Sequence, residues 1–126
     1  MMPRRAHIAG LAMLAVVLSL PVTAIAENWT PTGAQISKVE ALVRPPEGAM
    51  PIERYERSYA ATRLSGRRVI RGIWILVVDE NRRAGPRVVA ADDFPATPLD
   101  GGCGIITVVY DVAADSIIQA TCSGYA

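Results

Sequence analysis

The chain has 126 residues, 13 of them basic and 12 acidic, for a formal charge of +1. That balance leaves no basic excess to hold a nucleic acid. The one histidine is His7, so once a 26-residue leader is set aside the remaining 100 residues contain none, which removes imidazole catalysis and most zinc chemistry and leaves length for one compact domain.

Met1 to His7 is short and basic through Arg4 and Arg5, and Ile8 to Leu20 is an uncharged run of 13 residues. Pro21 breaks the run, and Ala24-Ile25-Ala26 has the small-x-small pattern a signal peptidase reads, with cleavage before Glu27. The alternative is an uncleaved anchor, because the 19 residues Ile8 to Ala26 carry no charge and just reach across a bilayer. The residues around Arg4-Arg5 do not support a twin-arginine signal, and no cysteine stands at the site to carry a lipid. Cleavage therefore leads us to expect a periplasmic or secreted bacterial protein with no stable membrane insertion. After the leader, ten of the eleven basic residues are arginine, which fits a GC-rich bacterial genome.

The elements follow in chain order. Thr32 is placed as an N-cap, with Gln35 closing a capping box. Ile36, Val39, Leu42 and Val43 recur at helical spacing, while Ser37, Lys38 and Glu40 fall to the other side. Pro45-Pro46 ends this helix near Arg44. Pro51 to Leu64 supports two readings. Ile52, Tyr55 and Tyr59 fit a helical stripe with a Glu53–Arg57 pair, whereas Tyr55, Arg57, Tyr59 and Ala61 share one side of a strand. The Ser65-Gly66 turn before a clearly extended segment favours a strand from about Glu53 to Arg63. Arg67 to Val78 is the strongest strand, apolar on both sides at its far end, as a covered central strand should be. Asp79 to Gly85 reads as a charged turn, Pro86 to Ala91 as a short strand, Asp92 to Gly102 as irregular loop, and Ile105 to Tyr110 and Ile117 to Cys122 as two final strands. The expected fold is α+β: one N-terminal amphipathic helix on an antiparallel sheet of about four strands, in a single domain over residues 27–126.

Cys103 and Cys122, both beyond the leader, meet an oxidising compartment and are expected to join. In an antiparallel hairpin, paired position numbers add to a constant. For the cysteines this is 225, which also pairs Ile105 with Ala120, Thr107 with Ile118 and Tyr110 with Asp115. Asp111 to Ala114 is then left as a four-residue loop, and a three-residue loop at Ala113 to Asp115 would need a bulge to restore the pair. With no Cys-x-x-Cys and no imidazole, the bridge reads as a structural staple closing the hairpin.

The remaining chemistry is thin. Asp100-Gly101-Gly102-Cys103-Gly104 lacks the third glycine of a dinucleotide loop and leads into a strand, and Ser37-Lys38 are neighbours on a helix that do not face each other. Trp29, Trp74 and the tyrosines could stack sugars, but Trp74 between Ile73 and Ile75 reads as core. The acids Asp79, Glu80, Asp92, Asp93 and Asp100 form a candidate acidic loop site. Arg67, Arg68 and Arg71, with Arg82, Arg83 and Arg87 nearby, form a candidate binding face, partly neutralised by Glu53, Glu56, Asp79 and Glu80.

Asp100-Gly101-Gly102-Cys103-Gly104, Val108-Val109-Tyr110-Asp111 and Cys122-Ser123-Gly124-Tyr125-Ala126 resemble a group of small exported bacterial proteins of unassigned function, which share a Gly-Gly-Cys strand entry and a Cys-x-Gly ending. The helix-then-strands order also resembles the cystatin-like arrangement, without the Gln-x-Val-x-Gly loop that binds proteases, so protease inhibition does not carry over. Neither resemblance implies a catalytic residue, a metal or a cofactor. The expected function is a non-enzymatic exported module that binds a protein or envelope component. The alternative is a small carboxylate-dependent hydrolase of cell-wall polymer or glycan.

Overall fold

A computed structural model of the protein describes residues 29–95 and 101–123. The leader with its Ala24-Ile25-Ala26 site, Asp100 and Gly124-Tyr125-Ala126 lie outside these residues.

The helix α1 spans Gly33–Leu42, and both halves of its capping box form. The Thr32 hydroxyl oxygen accepts from the Gln35 amide at 3.1 Å, and the Gln35 side chain accepts from the Thr32 amide at 2.9 Å, satisfying two otherwise unpaired amide donors. The chain turns extended at Val43, since the paired prolines that follow cannot continue the helix. Ile36, Val39 and Val43 are buried, each contributing roughly 1.5–3 kcal/mol. Leu42, placed on the apolar stripe by its spacing, is instead 43 % exposed.

The ambiguous stretch resolves into a single 3-10 turn, Ile52–Arg54, and strand β1, Tyr55–Leu64. Ser65 and Gly66 both take positive φ (50° and 77°), the signature of a type I′ hairpin turn, and β2 follows over Arg67–Leu76. The later elements are β3 (Gly85–Val88), a 3-10 turn (Ala91–Asp93), β4 (Gly102–Asp111) and β5 (Ser116–Ser123).

The fold is α+β, but the sheet is five-stranded and mixed, in the order β3-β1-β2-β4-β5, where an antiparallel sheet of about four strands was expected. Strands β1, β2, β4 and β5 are antiparallel in turn, and β3 runs parallel to β1. After β2 the Val77 amide donates to the Arg54 carbonyl at 3.0 Å, which extends the β1–β2 ladder by one pair before the chain turns toward β3. The composition of Pro86 to Ala91 marks an extended segment; which strand it joins is decided by long-range contacts to Glu56 and Ser58.

Tyr55, Tyr59, Ile70, Trp74, Ile106, Val108 and Tyr110 form the core with Ile36, Val39 and Val43 of α1. Trp74 is fully buried, as its neighbours in sequence imply. Gly72 lies beside Tyr59 so closely that an added Cβ would sit 2.7 Å from the ring carbon Cε1; glycine is what lets the ring lie there. Residues of opposite parity are buried as well, among them Ser58, Ala60, Val69, Ile73 and Val109. Phe94 lies on this second face, with the Arg71 guanidinium 5.4 Å from its ring centre.

Cys103 and Cys122 form the expected bridge, with Cα atoms 4.6 Å apart, closing a loop worth about 3 kcal/mol in the chain-entropy model. The register around it differs from the constant of 225. Ile106 pairs with Cys122, Val108 with Ala120, Tyr110 with Ile117 and Asp111 with Ser116. The turn is therefore Val112 to Asp115, one residue later than expected. Irregularities between Gly102 and Ile106 and between Val109 and Tyr110 absorb the difference and return Gly102 opposite Ser123. Bulges of this kind let the disulfide and the turn each keep its own geometry.

Candidate functional site

The strand pleat divides the arginines of the expected binding face. Arg67 and Arg71 project to the side on which Phe94 lies, and Arg68 to the helix side, where its guanidinium lies 6.0 Å from the Trp29 ring centre. Arg67 donates to the buried Asp111 carboxylate at 3.0 Å, with its own side chain 70 % exposed. Arg82 and Arg87 both donate to Glu56 at 3.0 Å, and the Arg87 Nε–H donates to the Ser58 hydroxyl at 2.9 Å. Neutralisation by Glu56 across strands agrees with the sequence reading. Intramolecular partners thus engage much of the cluster, although Arg67, Arg68, Arg71, Arg83 and Arg87 all remain exposed to solvent.

The structure does not gather the acids of the expected loop site into a cluster among the described residues. The Asp79 carboxylate accepts from the Asn81 amide at 2.8 Å and closes its own turn. Asp92 and Asp93 sit exposed in the 3-10 turn Ala91–Asp93, and Asp100 is outside the described residues. Among the described residues no group of three or more His, Cys, Asp or Glu side chains is arranged to hold a metal ion, and no helix is long and apolar enough to cross a membrane.

The principal polar constellation joins α1 to the sheet through Glu40. Helical spacing that sends charge to solvent puts Glu40 on the outer side, yet it turns to the sheet, with its side chain 18 % exposed. It accepts from Arg57 Nε at 2.5 Å and from the Tyr59 hydroxyl at 2.7 Å, and that hydroxyl accepts from Trp74 Nε1 at 3.0 Å. Arg57 also donates to the Ile52 carbonyl at 2.6 Å and the Tyr55 carbonyl at 3.1 Å. Burial pushes the Tyr59 phenol far up, and the hydrogen bond to Glu40 and its negative charge push the same way. The signal was available: 36, 39, 40 and 43 follow the i, i+3, i+4, i+7 rule, with Glu40 on the stripe and Leu42 off it.

A second feature lies at the end of α1. An open groove of about 410 Å³ runs between the helix end and β5, lined by Leu42, Arg44, Asp115, Ser116, Ile117 and Ala120. At its rim Asp115 pairs with Lys38 at 2.7 Å and accepts a short hydrogen bond from the Tyr110 hydroxyl. The Lys38 contact, then the Tyr110 one, holds the Asp115 carboxyl below its ordinary range. The hydrogen bond to Asp115, helped by burial, pushes Tyr110 up to about 12.

No family model, curated protein or solved structure matches the chain. What can be said of its chemistry rests on these side chains. Four of its carboxylates, on Glu40, Glu56, Asp111 and Asp115, are each matched to a cation, an arrangement that ties one element to another.

Proposed function

We propose that this chain is a non-catalytic binding module of the bacterial envelope, exported through its leader and acting in the periplasm or outside the cell. The observation that carries the reading is the pairing of carboxylates on α1 and the sheet with arginine: Glu40 with Arg57, Glu56 with Arg82 and Arg87, Asp111 with Arg67. A hydrolase working through two carboxylates needs two of them left free to face a substrate, whereas each of these is engaged by a guanidinium and Asp79 is engaged by its own turn. The Cys103–Cys122 bridge fits an oxidising compartment, and the small-x-small pattern before Glu27 supports export. The resemblance to small exported proteins with a Gly-Gly-Cys entry points the same way.

Co-purification of the full chain from its native envelope tests the reading, with the Arg67/Arg68/Arg71 triple change as control. One specific partner retained by the wild type is the expected result, and its loss in the control places the contact on the arginine strand. Turnover of a cell-wall or glycan substrate by the purified chain, abolished by Asp92→Asn or Asp93→Asn, would replace this reading with the hydrolase. Mass spectrometry of the exported protein should find a start at Glu27.

A further inference from the structure

The two edges of the sheet are built differently. β3 has four residues, one of them Pro86, which has no amide to offer. β5 has eight residues, Ser-Ile-Ile-Gln-Ala-Thr-Cys-Ser, with no charge, proline or glycine. Short strands, prolines and charges are what keep an exposed edge from pairing, and β5 has none of them. Along its outer side, alternate backbone N–H and C=O groups face away from β4.

Beside that edge runs the groove, with Ile117 and Ala120 from β5 and Leu42 and Arg44 from the end of α1. Its two charges differ. Asp115 is engaged by Lys38 and Tyr110. Arg44 is exposed and meets no carboxylate among the described residues. An apolar lining, a cation with no carboxylate partner among the described residues and a row of backbone donors and acceptors therefore lie side by side, the combination that strand addition uses for affinity and selectivity.

We infer that β5 accepts an extended segment of a partner protein as a sixth strand, with an apolar side chain over Ile117 and Ala120 and a carboxylate at Arg44. This rests on the binding-module reading and names its partner chemistry. Charge complementarity selects a foreign segment over a second copy. A second β5 carries no acid, and two-fold antiparallel pairing puts the other copy's Asp115 at the far end of the ribbon, away from Arg44.

The test uses the disulfide-bonded chain and a panel of fluorescein-labelled octapeptides that alternate threonine and valine, with one glutamate moved along the sequence. Controls replace the glutamate by glutamine or methylate alternate backbone nitrogens. Anisotropy should show saturable binding of at least one glutamate peptide, roughly tenfold weaker for its glutamine form or for Arg44→Gln. Backbone methylation should abolish it, and β5 amides should gain exchange protection in the complex. Three results overturn the inference: no peptide binding below about 1 mM, binding indifferent to methylation, or binding indifferent to Arg44→Gln. A dimer whose β5 amides are protected without peptide overturns it in favour of a second copy. Peptide failure alongside a successful envelope co-purification removes strand addition alone, whereas failure of both removes the binding module.

Discussion

Glu40→Leu tests the helix–sheet contact most directly. Glu40 and Arg57 have side chains 18 % and 8 % exposed, and the carboxylate accepts from Arg57 Nε, from Arg57 Nη2 at 3.3 Å and from the Tyr59 hydroxyl. Leucine would leave the guanidinium buried with only the Ile52 and Tyr55 carbonyls. Removing one partner of a buried pair costs about 3–5 kcal/mol; the two remaining carbonyls and the partial exposure of Glu40 place the expected loss at the low end, about 3 kcal/mol. For a domain of this size that lowers Tm by roughly 12–24 °C. Glu40→Gln keeps an acceptor and should cost about 1–2 kcal/mol. The double change Glu40→Leu/Arg57→Met leaves no stranded charge and should recover at least half of the single loss. Urea unfolding with the disulfide intact, followed by the fluorescence of the buried Trp74, measures all three. A loss below about 1 kcal/mol for Glu40→Leu, or a double variant as unstable as the two singles combined, would refute the reasoning.

Other expectations follow from single features. The folded state favours the neutral phenols of Tyr59 and Tyr110. Their contribution to stability is full below about pH 10, where unfolded tyrosine ionises, and is lost as the pH climbs from there toward their raised folded values; absorbance at 295 nm should show Tyr110 titrating near 12 and Tyr59 ionising only as the chain unfolds. Reducing the Cys103–Cys122 bridge, or Cys103→Ser with Cys122→Ser, should cost about 3 kcal/mol in urea unfolding. Gly72→Ala drives a Cβ into a Tyr59 ring held through its hydroxyl by Glu40 and Trp74, and a destabilisation of about 1–3 kcal/mol is expected. Lys38→Met should raise the Asp115 carboxyl toward its ordinary range, read from its carbon-13 shift against pH, because Lys38 is the main influence holding it down.

The features legible in the sequence were those set by near neighbours along the chain. Thr32 and Gln35 cap a helix from three positions apart, Ser65-Gly66 turns a hairpin, and a tryptophan between two isoleucines belongs in a core. What escaped depends on distant partners. β3 joins β1 because Arg87 finds Glu56 and Ser58 some thirty positions away, and nothing local to Gly85–Val88 announces it. The hairpin register failed for a related reason: the arithmetic assumed an unbroken ladder between the cysteines and the turn, and two irregularities intervene. Glu40 was misplaced by a rule that sends charge to solvent, although its position on the buried stripe said otherwise and Arg57 and Tyr59 were there to receive it. Of the arginine face, the sequence showed the cluster but not its division by the pleat. The groove beside β5 joins the end of a helix to a strand more than seventy positions later, beyond the reach of any spacing rule.

The proline in β3 has a bearing on stoichiometry. A sheet able to grow at both margins is divalent, and its copies can stack into ribbons without limit. With Pro86 and a four-residue length capping one margin, two copies paired through β5 would present only β3 at each end of the joined sheet, a margin poorly suited to extending it into a fibre.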